Sequence, residues 1–509
     1  MRSILKYLTW RLVTIGLVIL LQLIMFVTLF MGLWNCSIYV QMVLKVISIV
    51  FTLIVFNSNS NPAFKISWII VILIIPLGWI LYLLFHGTYS SKKEVLKYSD
   101  CMDLTSKYNV INDNILLELK QENPEFAKLC QYVQNTSNMT VFKNTDTKFY
   151  PCGEYFFEEY IESLKSAKKY IFLEYFIISD GFMWNTILDI LKSKASNGVE
   201  VRLMYDDMGT ISLLRHHYDD YLNSLGIKTV VFNRIKAFPN SSINFRDHRK
   251  ITIIDGYMAF TGGLNLSDEY INVKQRFGYW KDSAIKLQGD GVKSMVLMYL
   301  QLWNYSSYDD KNSNLDKYFS NISGTSTGYV QSFYDNPFSK KLISESVYMA
   351  IINNAKDYVY ICTPYLILDN EMITTLKYAS ASGVDVRIVT PSIPDKKRVN
   401  EVTRSNYVEL LKSGVRIFEF KDGFIHSKTI VSDDAYAVVG TANFDFRSFY
   451  MHFENSILMF KTDAVIQVKS DCLDIFDNIS TEVKYQDSIS VPISKKIWRF
   501  ILRLFSPIM

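Results

Sequence analysis

The sequence has little cysteine, glycine or proline and almost no net charge. Its 509 residues include 21 Gly and 11 Pro, too few for a collagen-like or low-complexity chain. The six cysteines lie far apart without a CxxC pair, which argues against a zinc site or a disulfide scaffold. The formal charge of +4 is too small for a protein that binds nucleic acid chiefly by neutralising phosphates. A hydrophobic content of 49% excludes a disordered chain.

Long apolar runs are abundant instead, and they lie before residue 86. Residues 12–33 and 66–85 contain no charged side chain, and each run matches the ~20 residues that a helix needs to cross a bilayer. Residues 36–56 are also apolar, but Lys45 near the middle of this run opposes insertion. We therefore predict two or three transmembrane helices, and a multi-pass protein of the cell membrane.

Basic residues flank this apolar region on both sides. The positive-inside rule places both flanks in the cytoplasm, which requires an even number of crossings. The sequence leaves the choice between two and three crossings open, and with it the side of the membrane that holds the rest of the chain. The flanking basic residues are Arg2, Lys6, Arg11, Lys92, Lys93 and Lys97.

The remainder of the chain contains two copies of one pattern. The segment 167–171 (AKKYI) resembles 355–359 (AKDYV), and 198–202 (GVEVR) resembles 383–387 (GVDVR). In each copy a helix leads into an apolar strand, and a second helix and a Val-x-Val strand follow. Strands that alternate with helices predict an α/β fold with a largely parallel sheet. The predicted parts are a membrane anchor at 1–90, a linker at 91–150, two repeats at 151–320 and 321–490, and an amphipathic tail at 491–509.

Each repeat carries the same polar frame, H-x-K-x4-D, followed by an asparagine 17 residues after the histidine. A histidine and a lysine two residues apart in a strand face the same side. Two such frames that face each other would surround one pocket with two imidazoles and two ammonium groups, which repels metal ions and attracts a phosphate. The residues are His248, Lys250, Asp255 and Asn265 in the first frame, and His426, Lys428, Asp433 and Asn443 in the second.

This residue set predicts phosphoryl chemistry that needs no metal and no cofactor. One imidazole attacks phosphorus and forms a phosphoenzyme, while the other protonates the leaving alkoxide and then deprotonates the incoming alcohol. The lysines and the amides of Asn265 and Asn443 hold the phosphate oxygens. Asp255 and Asp433 complete the catalytic frames, but their odd spacing from each lysine places them on the opposite face of a strand. From the residues alone we therefore predict that these two aspartates are structural turn partners.

The paired frames resemble the phospholipase D superfamily, and the surrounding sequences resemble bacterial cardiolipin synthases. This resemblance implies two phospholipase D-like α/β repeats that form one bilobal catalytic unit. It also implies that two phosphatidylglycerol molecules react to give cardiolipin and glycerol through a phosphatidyl-histidine intermediate. The stretches that carry the resemblance are 244–251 (NFRDHRKI), 261–265 (TGGLN), 279–282 (YWKD), 440–448 (GTANFDFRS) and 501–507 (ILRLFSP).

Members of this family generally have a downstream acidic residue that hydrogen-bonds each catalytic histidine. Asp282 and Glu454 are the positions here that match it, and a hydrogen bond to the second ring nitrogen would orient each imidazole. By the same resemblance, His248 is predicted to be the nucleophile and His426 the general acid and base. His452 lies near the second frame without a counterpart in the first, and the sequence assigns it no role.

Other functions fit the same frames. Water in place of the second lipid would make the protein a membrane-bound phospholipase D that releases phosphatidic acid, and the sequence does not exclude this reaction. A nuclease is disfavoured by the apolar runs and the small net charge, so no nucleic-acid partner is predicted. A lipid-binding scaffold with inactive motifs is least favoured, because both frames retain every group that the chemistry needs. The predicted partners are phosphatidylglycerol and the bilayer, and the oligomeric state is open.

The end of the chain mixes basic and bulky apolar residues at helical spacing, in 495–505 (KKIWRFILRLF). Such a pattern predicts a helix that lies in the interface of an anionic membrane. The alternative is an ordinary terminal helix that packs on the domain.

Overall fold

The computed structural model describes most of the chain. The described residues are 16–18, 20–22, 24–25, 27–28, 31–32, 38–75, 77–85, 92–108, 113–235, 241–307, 314–339 and 341–508. Ten of the 22 residues of the first predicted span, 12–33, lie outside the described residues, so that span is only partly described. The body that follows the N-terminal helices has two similar halves, and each is built on one large β-sheet.

Three apolar helices at the N-terminal end pack against one another, namely α1 (Ile38–Phe56), α2 (Pro62–Ile74) and α3 (Gly78–Phe85). Their shared core contains Val55, Ile72 and Tyr82. Among the described residues, α1 is the one helix that is long and apolar enough to cross a membrane. Most of the large apolar side chains of α1 are exposed, which a helix in contact with lipid would require.

The structure does not confirm the prediction of one span over residues 66–85, because the helix there is not continuous. Helix α2 ends at Ile74, and Ile75 is extended, with φ −101° and ψ 118°. Pro76 explains the break, because proline lacks an N–H for a helical hydrogen bond and disfavours helical backbone in the preceding residue. The resulting helices of 13 and 8 residues are each shorter than the ~20 residues of a membrane-spanning helix. The described residues therefore contain one candidate span rather than the two or three predicted.

The predicted linker at 91–150 is mostly helical. It contains α4 (Lys92–Ser106), α5 (Asp113–Glu122) and α6 (Pro124–Ser137). The side chain of Asn123 caps α6 by accepting a hydrogen bond from the Phe126 N–H at 2.9 Å. Phe126 is buried in the core of the second half, so this segment is part of the folded body.

The first half contains a seven-stranded mixed sheet. Its elements, in chain order, are β1 (Thr145–Tyr150), α7 (Gly153–Ser166), β2 (Tyr170–Tyr175), α8 (Phe182–Ser196), β3 (Glu200–Asp206), α9 (Asp207–Thr210), α10 (Tyr218–Ser224), β4 (Ile227–Phe232), β5 (Lys250–Ile254), β6 (Met258–Gly262), β7 (Tyr279–Lys281), β8 (Ala284–Gly289) and α11 (Val292–Ser306). The strand order is β1-β8-β6-β5-β2-β3-β4.

The second half repeats this architecture in an eight-stranded sheet. Its elements are β9 (Tyr329–Asp335), α12 (Ile343–Asn354), β10 (Tyr358–Cys362), β11 (Leu366–Ile367), α13 (Asn370–Ala381), β12 (Asp385–Pro391), α14 (Lys397–Lys412), β13 (Arg416–Phe420), β14 (Gly423–Ile425), β15 (Thr429–Ser432), β16 (Tyr436–Gly440), β17 (Phe444–Asp445), α15 (Phe446–Tyr450), β18 (Glu454–Phe460), α16 (Asp463–Asp474), β19 (Ser480–Glu482), α17 (Tyr485–Ile489) and α18 (Ile493–Leu504). The strand order is β9-β18-β16-β15-β10-β12-β13-β19, which is the order of the first half with one added edge strand.

The two sheets are mixed, so the prediction of a largely parallel sheet is wrong. Within them, β2, β3 and β4 are parallel, as are β10, β12 and β13, and the other neighbouring strands pair antiparallel. After the third parallel strand the chain turns back through a hairpin, β5–β6 or β15–β16. A hairpin needs only a short turn, whereas a further parallel strand would need a long crossover.

The halves meet along the segments that carry the polar frames. Strand β7 of the first half pairs in parallel with β14 of the second, so that Trp280 lies opposite Phe424. An isolated parallel bridge joins Asp247 to Phe453. Each frame therefore lies beside a segment of the other half that runs directly into a predicted acidic residue. Phe453 precedes Glu454, and Lys281, at the end of β7, precedes Asp282.

Helices α2 and α18 pack together against the second half. Ser67 Oγ of α2 donates a hydrogen bond to the carbonyl oxygen of Leu504 at 2.6 Å, and Arg499 of α18 pairs with Glu401 of α14 at 2.8 Å. Helix α18, the predicted amphipathic tail, thus packs on the domain, but one of its faces is exposed. The exposed large apolar side chains of α18 are Ile493, Ile497, Trp498, Phe500 and Ile501.

Candidate active site

The histidines of the two frames lie where the halves meet. The His248 N–H donates a hydrogen bond to the carbonyl oxygen of Phe453 at 2.9 Å, and the His426 N–H donates to that of Lys281 at 2.7 Å. The backbone of each histidine is therefore held by the opposite half. The two side chains are only 11% and 10% exposed, so both imidazoles are largely shielded from solvent.

Each imidazole also contacts a carboxylate of the opposite half. His248 Nδ1 lies 2.9 and 3.0 Å from the two oxygens of Glu454, and His426 Nδ1 lies 2.6 Å from Asp282 Oδ2. Both carboxylates are fully buried. A carboxylate beside Nδ1 holds the ring proton there and leaves Nε2 as the nitrogen with a free lone pair. The structure thus brings the two predicted acidic residues to the two histidines, in a crossed arrangement.

The lysines of the frames are buried beside the histidines. Lys250 Nζ donates to the carbonyl oxygen of His248 at 2.5 Å, and Lys428 Nζ donates in the same way to that of His426. Burial is the main cause that lowers the pKa of Lys250 to about 8 and the pKa of Lys428 to about 7. A phosphate anion in the pocket would favour the protonated form of both lysines. Protonated lysines would in turn bind the phosphate more tightly.

Burial and the neighbouring cations keep both imidazoles neutral. Burial, followed by the charge of Lys428, lowers the pKa of His426 to about 4, although Asp282 opposes this shift. Burial, followed by Lys250 and Lys428, lowers the pKa of His248 well below its usual range. A neutral ring with a free Nε2 is the form that can attack phosphorus.

The two asparagines of the frames differ in their hydrogen bonds. Asn265 uses both ends of its amide inside the first half, since Oδ1 accepts from the Ile177 N–H at 2.9 Å and Nδ2 donates to the Tyr270 hydroxyl at 2.7 Å. Asn443 Nδ2 donates to Asp445 Oδ2 at 3.2 Å, and Asn443 Oδ1 is buried without a partner among the described residues. The phosphate-binding role of both asparagines stays a prediction.

Asp255 and Asp433 lie outside the pocket, at the far ends of β5 and β15. The carboxylate of Asp255 accepts three hydrogen bonds from the N–H groups of 168–170 at 2.7–2.9 Å. The carboxylate of Asp433 accepts three from 356–358 at 2.8–3.0 Å. Both aspartates have positive φ, 54° and 52°, in tight turns. They hold the starts of β2 and β10, which is the structural role that the odd spacing predicted, so we correct their inclusion among the catalytic residues.

Aromatic rings surround His426. The ring centroids of Trp280, Tyr270 and Phe424 lie 5.3, 5.6 and 5.7 Å from that of the imidazole. Trp280 and Phe424 come from the paired strands β7 and β14, so the contact between the halves builds this aromatic wall. All three centroids lie within the ~6 Å at which an aromatic ring attracts a cation, so these rings can stabilise an imidazolium that forms at His426.

A third imidazole lies beside His248. The ring centroids of His248 and His452 are 5.4 Å apart, and His452 Nδ1 is 3.5 Å from Glu454 Oε1. Neither ring nitrogen of His452 has a hydrogen-bond partner among the described residues. His452 precedes Glu454 by two residues, as Trp280 precedes Asp282. The sequence alone assigned no role to His452. Aligning Glu454 with Asp282 places His452 at the position of Trp280, and this difference between the repeats could have singled out His452.

A buried ionic network, which the sequence did not reveal, fixes the frame around His248. Asp206 accepts hydrogen bonds from Arg246 Nη1 at 3.2 Å and from the Asp247 N–H at 3.0 Å. Behind the frame, Arg249 Nη1 lies 3.8 Å from Glu174 Oε1. All five residues are at most 1% exposed. The residues on both sides of His248 are therefore tied to the interior of the first half.

The chain is similar to known proteins over most of its length. The family model described as "Cardiolipin synthase, PLD-like domain" matches residues 160–277 and 348–478, and the model described as "Phospholipase_D-nuclease N-terminal" matches 46–86. Cardiolipin synthase 2 of Bacillus anthracis is 33% identical over 463 residues, which cover 90% of this chain and 89% of that protein. The chain belongs to the cardiolipin synthase family of phospholipase D-like proteins.

This membership confirms the family that the paired frames predicted, and with it a phosphatidyltransferase that acts on phospholipid. An uncharacterized protein of Streptococcus mutans is 41% identical over 457 residues, which cover 89% of this chain and 98% of that protein. The crystal structure of phosphatidylserine synthase from Haemophilus influenzae Rd KW20 has a TM-score of 0.58 at 15% identity, and the match covers 75% of this chain and 97% of that one. It supports the mixed α/β fold with phospholipase D-like domains. The N-terminal family match, together with α1, indicates association with a membrane.

Proposed function

We propose that this enzyme is a cardiolipin synthase that transfers a phosphatidyl group from one phosphatidylglycerol to a second and releases glycerol. The observation that carries the proposal is the pair of buried imidazoles, each with its Nδ1 within 3.0 Å of a buried carboxylate of the opposite half. Two imidazoles with two lysines can divide a phosphodiester exchange into two displacements. Phosphatidylglycerol suits both roles, because its glycerol headgroup is a leaving group in the donor and carries a free hydroxyl in the acceptor.

In the first displacement, His248 Nε2 attacks the phosphorus of the donor lipid. The P–O bond to the glycerol headgroup breaks, and His426 gives its proton to the leaving alkoxide. The phosphate anion of the bound lipid and the carboxylate of Asp282 favour the protonated form of His426 that this step requires. Lys250 and Lys428 stabilise the negative charge of the non-bridging oxygens.

In the second displacement, the phosphatidyl group leaves His248. Neutral His426 takes the proton from a glycerol hydroxyl of the acceptor lipid, and the alkoxide oxygen attacks phosphorus. The P–N bond to His248 breaks, which restores the neutral ring with its proton on Nδ1, hydrogen-bonded to Glu454. The proton that His426 lost to glycerol in the first step is regained from the acceptor, so the cycle balances.

The assignment of His248 as the nucleophile follows the family resemblance and is supported by the two environments. His426 changes its charge in both displacements, and the aromatic wall of Trp280, Tyr270 and Phe424 stabilises its imidazolium form. His248 keeps the Nδ1 proton throughout and needs a firm acceptor for it. Glu454 supplies this acceptor with both carboxylate oxygens within 3.0 Å.

We further propose that the enzyme is held on the membrane by two spans and two interfacial helices. By hydropathy, residues 12–33 would supply a second crossing beside that of α1, and two crossings return both basic flanks to the cytoplasmic side. Helices α2 and α18 would lie in the interface, because α18 combines an exposed apolar face with lysines and arginines suited to anionic lipid. Phe446, which closely follows Asn443, packs on Phe64 of α2 with ring centroids 5.6 Å apart, so the pocket would lie near the bilayer.

The test uses the purified full-length protein in mixed micelles with phosphatidylglycerol as the only phospholipid. Cardiolipin and free glycerol should appear in equal amounts, and EDTA should not abolish their formation. Phosphatidic acid without cardiolipin would mean that water is the acceptor and would overturn the proposal in favour of a phospholipase D. His248→Ala and His426→Ala should each abolish turnover, whereas His217→Ala, on the exposed surface, serves as the matched control.

A further inference from the structure

The two halves of the active site differ at one pair of equivalent positions. Two residues before the buried carboxylate, the first half has Trp280 and the second half has His452. His452 is 10% exposed, and neither of its ring nitrogens has a hydrogen-bond partner among the described residues. A buried imidazole without a partner is costly, because its polar atoms have lost water without a replacement. The position therefore points to a ligand that is not part of the chain.

The ligand atoms around His452 form a compact set. His248, His452 and Glu454 each offer one nitrogen or oxygen, and these atoms all lie within 4.8 Å of one another. Glu454 Oε1 is 2.9 Å from His248 Nδ1 and 3.5 Å from His452 Nδ1. Zinc binds such atoms at about 2.0–2.2 Å, so the edges of a tetrahedral site measure roughly 3.3 Å. These two distances lie on either side of that edge, and the third edge, between the nitrogens of His248 and His452, is at most 4.8 Å, so binding requires the two rings to move towards each other.

We propose that His248, His452 and Glu454 bind a divalent transition-metal ion such as Zn²⁺, and that this ion inhibits the enzyme. Two imidazoles and one carboxylate, with a fourth position left for water, are a ligand set that zinc accepts. No other group of three such ligands lies this close among the described residues. In the first half, Trp280 replaces the second imidazole, so the pair His426 and Asp282 cannot form the same site.

The inhibition follows from the tautomer of His248. A metal on Nδ1 occupies the lone pair of that nitrogen, so the neutral ring must carry its proton on Nε2. Nε2 is the atom that attacks phosphorus in the proposed reaction, and a protonated Nε2 has no lone pair for the attack. Glu454 becomes a ligand of the ion, so it no longer accepts a hydrogen bond from a proton on Nδ1. No redox change is involved, since the proton only moves from one ring nitrogen to the other.

The neighbouring lysines limit the affinity of this site. The two frames by themselves predict a pocket that repels metal ions, and the buried ammonium groups of Lys250 and Lys428 oppose any added cation. His452 and Glu454, which the frames do not include, supply the donors that counter this repulsion. The carboxylate of Glu454 compensates for one of these charges. We therefore expect weaker binding than in a structural zinc site, and an ion that chelators remove readily.

Binding is tested first, because it does not depend on the proposed function. The full-length protein is purified in detergent, stripped with EDTA, freed of chelator and titrated with Co²⁺ or Zn²⁺ alone. Wild type should develop the visible absorption of tetrahedral Co²⁺, and His452→Gln should lose this absorption and bind Zn²⁺ at least ten-fold more weakly. His217→Gln is the control, since His217 lies on the surface 2.9 Å from Asp220 and could bind metal adventitiously. A signal that is lost in His217→Gln and kept in His452→Gln would overturn the proposal.

Zinc X-ray absorption on the wild-type protein tests the ligand set without any substitution. Two imidazoles per zinc are expected, and a shell of oxygen ligands alone would contradict the site even if His452→Gln failed to fold. Inhibition is then measured as the rate of cardiolipin formation at rising free Zn²⁺. The Zn²⁺ concentration that halves the rate should rise at least ten-fold in His452→Gln, relative to its own zinc-free rate. Equal inhibition of wild type and variant would refute the inhibitory role, whereas absent cardiolipin formation would refute the proposed function and leave the spectroscopic test intact.

Discussion

Replacing Glu454 by glutamine should slow the attack on phosphorus, whereas replacing Asp282 by asparagine should slow only the steps that need an acid or a base. Both carboxylates are fully buried, and both changes preserve the size of the side chain. Glu454 lies 2.9 and 3.0 Å from His248 Nδ1, and Asp282 lies 2.6 Å from His426 Nδ1. A hydrogen bond to a charged group contributes about 1.5–3 kcal/mol. Because about 1.4 kcal/mol is tenfold in rate, each change should reduce turnover of phosphatidylglycerol roughly 10- to 150-fold.

A donor with a better leaving group separates the two roles. A phosphatidyl ester of 4-nitrophenol releases an anion that needs no proton, so the first displacement no longer depends on the acid. In rapid-mixing experiments, Asp282→Asn should release the first equivalent of nitrophenol nearly as fast as wild type. Glu454→Gln should remain slow with this donor, because its defect lies in the nucleophile.

The opposite pattern would refute this reasoning. If the activated donor rescues Glu454→Gln and leaves Asp282→Asn slow, His426 is the nucleophile and the assignment of the two histidines is reversed. If neither variant is slowed with phosphatidylglycerol, the buried carboxylates do not act through the imidazoles. Thermal unfolding of both variants serves as the control, because a defect in folding would lower the midpoint as well as the rate.

Three further predictions concern stability and the membrane. The pKa of His426, about 4 in the folded protein against 6.5 for the free side chain, implies that stability is retained above pH 6.5 and lost as the pH falls towards 4. The loss from this group approaches roughly 3 kcal/mol, so urea unfolding of His426→Gln should depend less on pH across this window than that of wild type. Asp433→Ala removes the acceptor of three backbone hydrogen bonds and should lower the free energy of unfolding by about 1–3 kcal/mol. The activity per folded molecule should be unchanged, and a fall in that activity would contradict the turn role. Ile497→Ser with Phe500→Ser should weaken binding to phosphatidylglycerol vesicles in a sedimentation assay and preserve activity in detergent micelles, and unchanged vesicle binding would contradict the interfacial role of α18.

The chemistry of the site could be read from the chain itself. The two polar frames recur at the same internal spacing, and a histidine and lysine two apart share one face of a strand, so a phosphate pocket with two imidazoles followed from local geometry. The turn role of Asp255 and Asp433 followed from the same alternation, because an odd interval turns a side chain away from the pocket. The duplication of the sheet was also predictable, since both repeats present the same order of helices and strands.

Hydropathy alone could not define the membrane helices. Residues 66–85 are apolar enough to span a bilayer, but hydropathy sums side chains and ignores the backbone, which breaks before Pro76. Only α1 among the described helices keeps both the composition and the length of a span. The antiparallel half of each sheet was missed for a similar reason, because the periodicity of a strand carries no information on its direction.

Only the tertiary structure decided which acidic residue serves which histidine. Asp282 and Glu454 follow the histidine of their own repeat by 34 and 28 residues, and this spacing alone suggests that each pairs within its repeat. The backbone contacts of His248 with Phe453 and of His426 with Lys281 cross the boundary between the halves and carry each carboxylate to the other histidine. The same crossing brings His452 to His248 and Trp280 to His426, so one imidazole gains a polar neighbour and the other an aromatic wall. A sequence determines the groups that a site contains, but the distances between groups far apart in the chain exist only after the two sheets have packed.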